Sequence, residues 1–141
     1  MKESLKPGIC YQHKILLASD KMVPALYPEA DEFQLMPEVF ATGFMVGFLE
    51  WACLKAVMPH IDWPREQTVG THVNFSHEAA TPAGLWVTAC VELIEVEGRR
   101  LTFTAEAHDG IDLIARGTHQ RFVIDRGKFD RAVAAKLPEQ K

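Results

Sequence analysis

Two kinds of hydrophobic pattern divide the chain into a helical part and a sheet part. Residues 37–59 (PEVFATGFMVGFLEWACLKAVMP) are almost wholly apolar, and Glu50 is the acid in their middle. Thr42 is of a good N-cap type and Pro59 is a stop signal, so we predict a helix from Thr42 to Met58. Because apolar residues lie all round this helix, we expect other elements to enclose it.

From residue 68 onward the pattern changes to a period of two, which is typical of strands with one buried face. A tight turn at Glu97-Gly98 and a hairpin signal at Asp109-Gly110 separate the later strands. The predicted strands are 68–77, 83–96, 100–108 and 111–124.

The remaining segments complete the predicted architecture. Residues 8–18 form a first strand, residues 19–37 a proline-containing loop or lid with one short helical turn, and residues 126–141 a polar, helical tail. A strand, a long helix and then four antiparallel strands in a meander predict an α+β hot-dog fold, a curved sheet wrapped around a central helix. One sheet cannot cover such a helix fully, so we expect a dimer with two sheets joined edge to edge.

Composition indicates an ordinary globular protein with a single domain, residues 1–141. Hydrophobic residues make up 48% of the chain and charged residues 24%, and the net charge is -4. A negative balance without clustered bases argues against a general nucleic-acid binder.

Cysteine usage and the absence of targeting signals predict a cytoplasmic protein. The three cysteines are odd in number and form no C-x-x-C pair, which disfavours a disulfide framework or a zinc site, and Cys53 is expected in the core. The start lacks the apolar region of a secretory signal, and the uncharged run 39–49 is too short for a bilayer. We therefore expect no membrane association.

Glu50 is the first candidate for chemistry. An ionised carboxylate is costly to remove from water, so a buried one is usually paired or employed. It could serve as general base or as nucleophile, and apolar surroundings would make it a stronger base. The alternative is a helix carboxylate that reaches solvent or pairs with an arginine or lysine.

The start of the helix is the second candidate. Unpaired N–H groups at Thr42 and Gly43, together with the helix dipole, would form an oxyanion hole, and the Thr42 hydroxyl could orient a water or the attacking group. The alternative for Thr42 is an N-cap alone. Eight residues of helix separate Thr42 from Glu50 by about 12 Å along the axis and by roughly 80° around it. We therefore predict a site shared between two subunits, unless a loop at Thr42 folds back.

Four segments carry a resemblance to a known family: FATGFMVGFLEWAC (40–53), VGTHVNFSHEAATPAG (69–84), VEGRRLTFTAEAHDG (96–110) and GTHQRFVI (117–124). They resemble hot-dog thioesterases of the fluoroacetyl-CoA thioesterase type, in order and over nearly the whole chain. The resemblance implies a homodimeric acyl-CoA thioesterase with active sites at the dimer interface and no metal or prosthetic group. It leaves open whether dimers pair into tetramers.

The resemblance also assigns roles to individual residues. The catalytic threonine, glutamate and histidine of the family match Thr42, Glu50 and His77, and a glycine and an arginine that contact substrate or coenzyme A match Gly70 and Arg121. From the residues alone, His77 could be a structural strand-end histidine. Gly70 could form a β-bulge or pack tightly, and Arg121 could be an exposed strand arginine.

Two further expectations concern specificity and the other histidines. Met36 occupies the lid position at which fluoroacetyl-specific enzymes carry an aromatic residue, so we expect the preferred acyl group to differ while the catalytic set persists. The remaining histidines have no metal-ligand spacing and are predicted to be surface or packing residues: His13, His60, His72, His108 and His119.

Two other functions fit the same fold. A hot-dog hydratase would use an aspartate–histidine pair in the helix region, whereas here no histidine follows Glu50 in the helix, which disfavours that class. A non-catalytic dimer that binds acyl-CoA or another hydrophobic ligand remains the alternative.

Overall fold

The computed structural model describes residues 1–138, which form a five-stranded antiparallel sheet and one long helix. The strands are β1 (Cys10–Leu16), β2 (Glu66–His77), β3 (Trp86–Glu97), β4 (Arg100–His108) and β5 (Leu113–Asp125). The α-helices are α1 (Val23–Leu26), α2 (Asp31–Gln34), α3 (Thr42–Val57) and α4 (Arg126–Ala134), with 3-10 turns at Ser19–Lys21 and Met58–His60.

The long predicted helix is confirmed as α3, which ends one residue earlier than expected. One face packs into the core, and Cys53 there is fully buried, which raises the pKa of its thiol to about 12. The other face is open within one chain, since Gly43 and Gly47 are exposed and Trp51 retains 47% of its surface. A single chain therefore does not enclose the helix.

The predicted N-cap role of Thr42 is wrong. Ala41 occupies the N-cap position with extended backbone, and no side chain caps the helix. Thr42 is the first helical residue, which leaves its hydroxyl free for a partner outside the helix.

The sheet order is β1-β3-β4-β5-β2, so the predicted four-strand meander is correct only for β3, β4 and β5. β2 pairs with β5 instead of β3 and forms an edge of the sheet. Alternation shows which face of a strand is buried but not which strand lies beside it, and the prediction failed for that reason.

The core lies between α3 and the inward faces of the strands, and its composition confirms the predicted alternation. Burying each large side chain contributes about 1.5–3 kcal/mol. The inward residues of β3 and β4 are Val87, Ala89, Val91, Leu93, Leu101, Phe103, Ala105 and Ala107. The same period in β5 turns His119 and Arg121 toward the helix, so this wall of the core contains two polar side chains.

The β4–β5 hairpin is confirmed, but its loop has four residues, 109–112, rather than the two of a tight turn. Buried Asp109 stabilises the loop by accepting bonds from the N–H groups of Ile111 (2.9 Å) and Asp112 (2.7 Å). Its other oxygen accepts from the Thr81 hydroxyl at 2.8 Å. The carboxylate thus ties the β2–β3 connection to this turn.

The lid and the tail differ modestly from expectation. Residues 19–37 contain a 3-10 turn and the two short helices α1 and α2, where one helical turn was predicted. The helical tail is confirmed as α4, and residues 139–141 lie outside the described residues. No helix within residues 1–138 combines the length and apolarity needed to cross a bilayer.

Candidate active site

The predicted catalytic residues fall into two separate polar clusters along α3. The first cluster joins the helix start to the end of β2: Thr42 Oγ1 lies 2.8 Å from His77 Nδ1. Burial is the main cause that lowers the pKa of His77, opposed by the nearby Ala79 carbonyl. The imidazole is therefore neutral at neutral pH, and its buried Nε2 has no hydrogen-bond partner among residues 1–138.

Backbone donors lie next to this pair. The first helical hydrogen bond runs from Met45 N–H to Ala41 O at 2.8 Å, so the N–H groups of Thr42, Gly43 and Phe44 precede the helical ladder. A Cβ at Gly43 would lie 3.1 Å from Leu26 Cδ1, because α1 of the lid packs against the helix start. The lid therefore borders the backbone that was predicted to bind an oxyanion, while Gly43 itself remains exposed.

The second cluster surrounds Glu50, two turns further along α3. Glu50 Oε1 accepts a hydrogen bond from Arg121 Nη1 at 3.1 Å, and their side chains are 37% and 6% exposed. The predicted apolar setting is wrong, because β5 places a buried cation against this carboxylate. The arginine-paired alternative, which the sequence left open, is the arrangement found.

Arg121 is held by more than Glu50. Its Nε donates to Thr68 Oγ1 and its Nη2 to Thr68 O, both at 2.8 Å, and Nη1 also lies 3.1 Å from His119 Nε2. Four of the five guanidinium N–H groups are thereby used, which leaves one for a ligand. The alternative of an exposed strand arginine is wrong.

Gly70 lies directly over the Glu50 carboxylate. It pairs with Arg121 across the β2–β5 ladder, whose register shifts between Gly70 and His72. A Cβ at position 70 would lie 2.5 Å from Glu50 Oε1 and 3.3 Å from His119 Cε1. Both structural alternatives for this glycine, a bulge and tight packing, are thus present, and its contact with substrate stays a prediction.

His119 lies at the centre of this cluster, and the prediction of a surface or packing role missed its polar contacts. The side chain is fully buried, with Nδ1 2.6 Å from His72 O and Nε2 3.9 Å from Glu50 Oε1. Burial is the largest cause that lowers its pKa. The available signal was the alternation of β5, since His119 precedes Arg121 by two residues and so shares its inward face.

The other predicted positions lie outside the two clusters. Met36 follows α2 in the lid, and 46% of its surface is exposed. His13 packs edge-on against Trp51, with ring centroids 4.1 Å apart, as predicted for a packing residue. His60 bonds the Ser4 hydroxyl, His108 lies beside Glu106 at the surface, and His72 is exposed.

A prominent cavity among the described residues lies at neither cluster. It is an open groove of about 900 Å³ on the outward face of the sheet, lined by residues that include Asn74, Cys90, Thr104 and Arg116. Those side chains point away from α3, because they alternate with core residues along their strands. This groove is therefore separated by the sheet from the buried Arg121 and His119 and the half-buried Glu50.

Comparison with known proteins identifies a family and a relative over most of the chain. Residues 24–127 match the family described as fluoroacetyl-CoA-specific thioesterase (FlK). The chain is 49% identical over 138 residues to a fluoroacetyl-CoA thioesterase of Streptantibioticus cattleyicolor, covering 98% of this chain and 99% of that protein.

Solved structures give the same result. A threonine-to-serine variant of the fluoroacetyl-CoA thioesterase FlK in complex with acetyl-CoA superposes with a TM-score of 0.92 at 48% identity, covering 95% of this chain and 100% of that one. A hot-dog-like protein of Thermanaerovibrio acidaminovorans, 16% identical, shares the fold with a TM-score of 0.78 over 95% of this chain and 94% of that one. The protein is a hot-dog thioester hydrolase that acts on acyl-CoA. The chain belongs to the fluoroacetyl-CoA-specific thioesterase family.

Proposed function

We propose that this protein hydrolyses a small acyl-CoA thioester, with Glu50 as general base or nucleophile and the helix start at Thr42 and Gly43 as oxyanion hole. One observation carries the proposal: Glu50 is half-buried under Gly70 and oriented by the buried Arg121. A carboxylate fixed in this way can act in a defined direction. A similar solved protein was crystallised with acetyl-CoA, which supports a small acyl group.

As general base, Glu50 takes a proton from water while the water oxygen bonds to the thioester carbon. The carbonyl oxygen gains the negative charge and accepts hydrogen bonds from backbone N–H groups at the helix start, each worth about 3–4 kcal/mol when well aimed. The intermediate then collapses, the C–S bond breaks, and the sulfur takes up a proton. The products are a carboxylic acid and free coenzyme A.

As nucleophile, Glu50 itself bonds to the thioester carbon and forms a mixed anhydride as the coenzyme A thiolate leaves. Water then opens the anhydride and restores the carboxylate. Single-turnover hydrolysis in ¹⁸O-labelled water separates the two routes, because attack by Glu50 followed by hydrolysis at its own carbonyl leaves label in the protein.

Thr42 and His77 have a supporting role in either route. A hydroxyl hydrogen-bonded to a neutral imidazole can orient the attacking group. In the general-base route, His77 can accept the proton that Glu50 takes from water and then pass it to the departing thiolate. The proposed steps use water and the chain's own groups, without a metal or prosthetic group, and coenzyme A enters as part of the substrate. A methionine at position 36 of the lid, in place of the aromatic residue of fluoroacetyl-specific enzymes, supports an acyl group other than fluoroacetyl.

The complete site is proposed to form between two subunits. Within one chain no hydrogen bond among the described residues joins the Thr42–His77 pair to Glu50, and the helix separates Thr42 and Glu50 by about 12 Å along its axis. A second copy would also cover the open face of α3 at Gly47 and Trp51. The reducing cytoplasm remains the expected location, consistent with three free cysteines.

Edge strand β2 is the proposed contact between the copies. It has 12 residues, and its middle part is exposed. If two β2 strands pair antiparallel about a two-fold axis between Val73 and Asn74, His77 of the partner subunit lies opposite Gly70, beside Glu50. The same symmetry generates two equal sites per dimer.

A coenzyme A release assay tests the function. Short-chain, branched and aryl acyl-CoAs are compared for the wild type and Glu50→Ala, with free thiol as the readout. We expect release by the wild type on at least one small acyl group. If the wild type releases thiol no faster than Glu50→Ala from any of these acyl-CoAs, the proposed enzymatic function is disproved and the non-catalytic acyl-CoA binder remains.

Mixed dimers test the shared site. Glu50→Gln and Thr42→Ala homodimers should each retain only a small fraction of wild-type activity, but a hybrid dimer has one site with both native residues. Random mixing should therefore restore about a quarter of wild-type activity, since half of the dimers are hybrids with one intact site each. No recovery after confirmed subunit exchange would contradict the composite arrangement.

A further inference from the structure

We propose that His119 is a positioning residue for the thioesterase reaction, which holds the Glu50 carboxylate in place by orienting Arg121. This inference depends on the proposed role of Glu50. It assigns a function to a buried histidine that does not reach substrate.

The tautomer of His119 follows from its contacts. Nδ1 lies 2.6 Å from His72 O, and a carbonyl oxygen can only accept, so Nδ1 carries the proton. Burial lowers the pKa of the ring, which keeps it neutral. Nε2 therefore has a free lone pair, and Arg121 Nη1 at 3.1 Å donates to it.

This tautomer decides where the Arg121 guanidinium points. Nη1 has two hydrogens, one directed to His119 Nε2 and the other to Glu50 Oε1 at 3.1 Å. Thr68 holds the opposite side of the guanidinium through Nε and Nη2. If Nε2 carried a proton, two donors would face each other in a buried space, and the contact to Glu50 would be lost.

A direct catalytic role for His119 is disfavoured by the same geometry. The side chain has no exposed surface, so it does not contact substrate. Its Nε2 is 3.9 Å from Glu50 Oε1, beyond hydrogen-bond distance. Its influence on Glu50 must therefore pass through Arg121.

Two substitutions distinguish the contributions of the two ring nitrogens of His119. His119→Asn keeps an N–H near Nδ1 and removes the acceptor at Nε2, whereas His119→Gln brings a carbonyl oxygen to the Nε2 position. We expect His119→Asn to lower kcat about 10–100-fold with KM within about threefold, because a misplaced catalytic group slows chemistry more than binding. His119→Gln should recover most of the loss and stay within about fivefold of the wild type.

Thermal melts and a surface control make the comparison decisive. His108→Asn, at the exposed His108–Glu106 contact, serves as the control for the substitution itself. If both His119 variants lose kcat equally, or lose it only in proportion to the fraction unfolded, His119 has a structural role and the inference is overturned.

A measurement on the wild type covers the case in which the variants do not fold. ¹⁵N NMR of the histidine rings should find His119 neutral, protonated at Nδ1 and unprotonated at Nε2 at neutral pH. A proton on Nε2 would overturn the inference. Because the spectrum does not depend on turnover, it also distinguishes a failure of this inference from a failure of the proposed function.

Discussion

The two polar clusters along α3 are built in different ways. Arg121 in the second cluster contacts three residues through four hydrogen bonds and lies in the core. The Thr42–His77 pair in the first has a single bond at an exposed threonine, and within residues 1–138 the second ring nitrogen of His77 has no hydrogen-bond partner. Within the described residues, the second cluster thus holds one carboxylate against a buried arginine, whereas the first leaves one histidine nitrogen without a partner.

The largest expected effect comes from removing the charge that the second cluster holds. Glu50→Gln should lower kcat about 1,000-fold, within the range for loss of a general base, while the amide oxygen still accepts from Arg121 and preserves folding. Steady-state kinetics with a small acyl-CoA measures the change. Glu106→Gln at the surface is the matched control, and a Glu50→Gln enzyme with more than a tenth of wild-type kcat would refute the assignment.

Gly70→Ala tests whether the position of the Glu50 side chain matters, because it displaces the carboxylate while residue 50 remains a glutamate. The new methyl group would come within 2.5 Å of Glu50 Oε1, the far end of a flexible side chain, so the carboxylate should swing aside and weaken its bond to the buried Arg121. We expect kcat to fall about 100-fold, with a loss of unfolding free energy of about 1–3 kcal/mol and a lower melting temperature.

Gly127→Ala is the control for that substitution, because a Cβ in α4 meets neighbours only at an ordinary 3.5 Å. It should leave activity within about twofold and stabilise α4 by up to about 1 kcal/mol. If Gly70→Ala is as active as Gly127→Ala, the carboxylate need not be held in the observed position.

Thr42→Ala tests the first cluster, which contains a single hydrogen bond. Loss of this exposed hydroxyl should lower kcat about 10–100-fold. The unfolding free energy should fall by no more than about 1 kcal/mol, because the bond to His77 is at the surface. Thr42→Ser restores the hydroxyl and should recover activity to within about fivefold of the wild type. Equal activity of the alanine and serine variants would show that only the backbone at the helix start matters.

The smallest expected effect is on stability as a function of pH. Burial lowers the folded-state pKa of His77 and His119 below the usual 6.5. As the pH falls through this range, the unfolded chain therefore binds more protons than the folded protein does. Their contribution is complete above pH 6.5 and is lost progressively below it, toward the folded pKa values. The shifted carboxylates Glu66 and Asp109 act only in a lower window, below about pH 4.5.

Urea unfolding at about pH 7.5 and about pH 5.5 measures this histidine contribution, and the midpoint should be lower at the acidic pH. In His77→Gln the difference between the two midpoints should shrink, whereas exposed His108→Gln should leave it unchanged. If the difference is identical in the wild type, His77→Gln and His108→Gln, either His77 takes up no proton on unfolding or its pKa is the same in the folded and unfolded states.

Local pattern predicted the elements well because it reports burial directly. The period-two run from Leu101 to Ala107 and the apolar helix from Thr42 onward both lie where the sequence indicates. Local pattern did not predict which distant strands pair with each other. β2 joined β5 rather than β3, and that choice puts Gly70 and Thr68 beside Arg121.

The sequence by itself determined the hot-dog elements, the family and the residues worth testing: Thr42, Glu50, His77, Gly70 and Arg121. Only the tertiary structure decided how they are grouped, and that His119 belongs with Glu50. Hydrophobic periodicity specifies which way a side chain faces, but hydrogen bonds between residues about 70 positions apart, such as Glu50 and Arg121, depend on strand order and register. For that reason a buried cation replaced the apolar setting expected around Glu50.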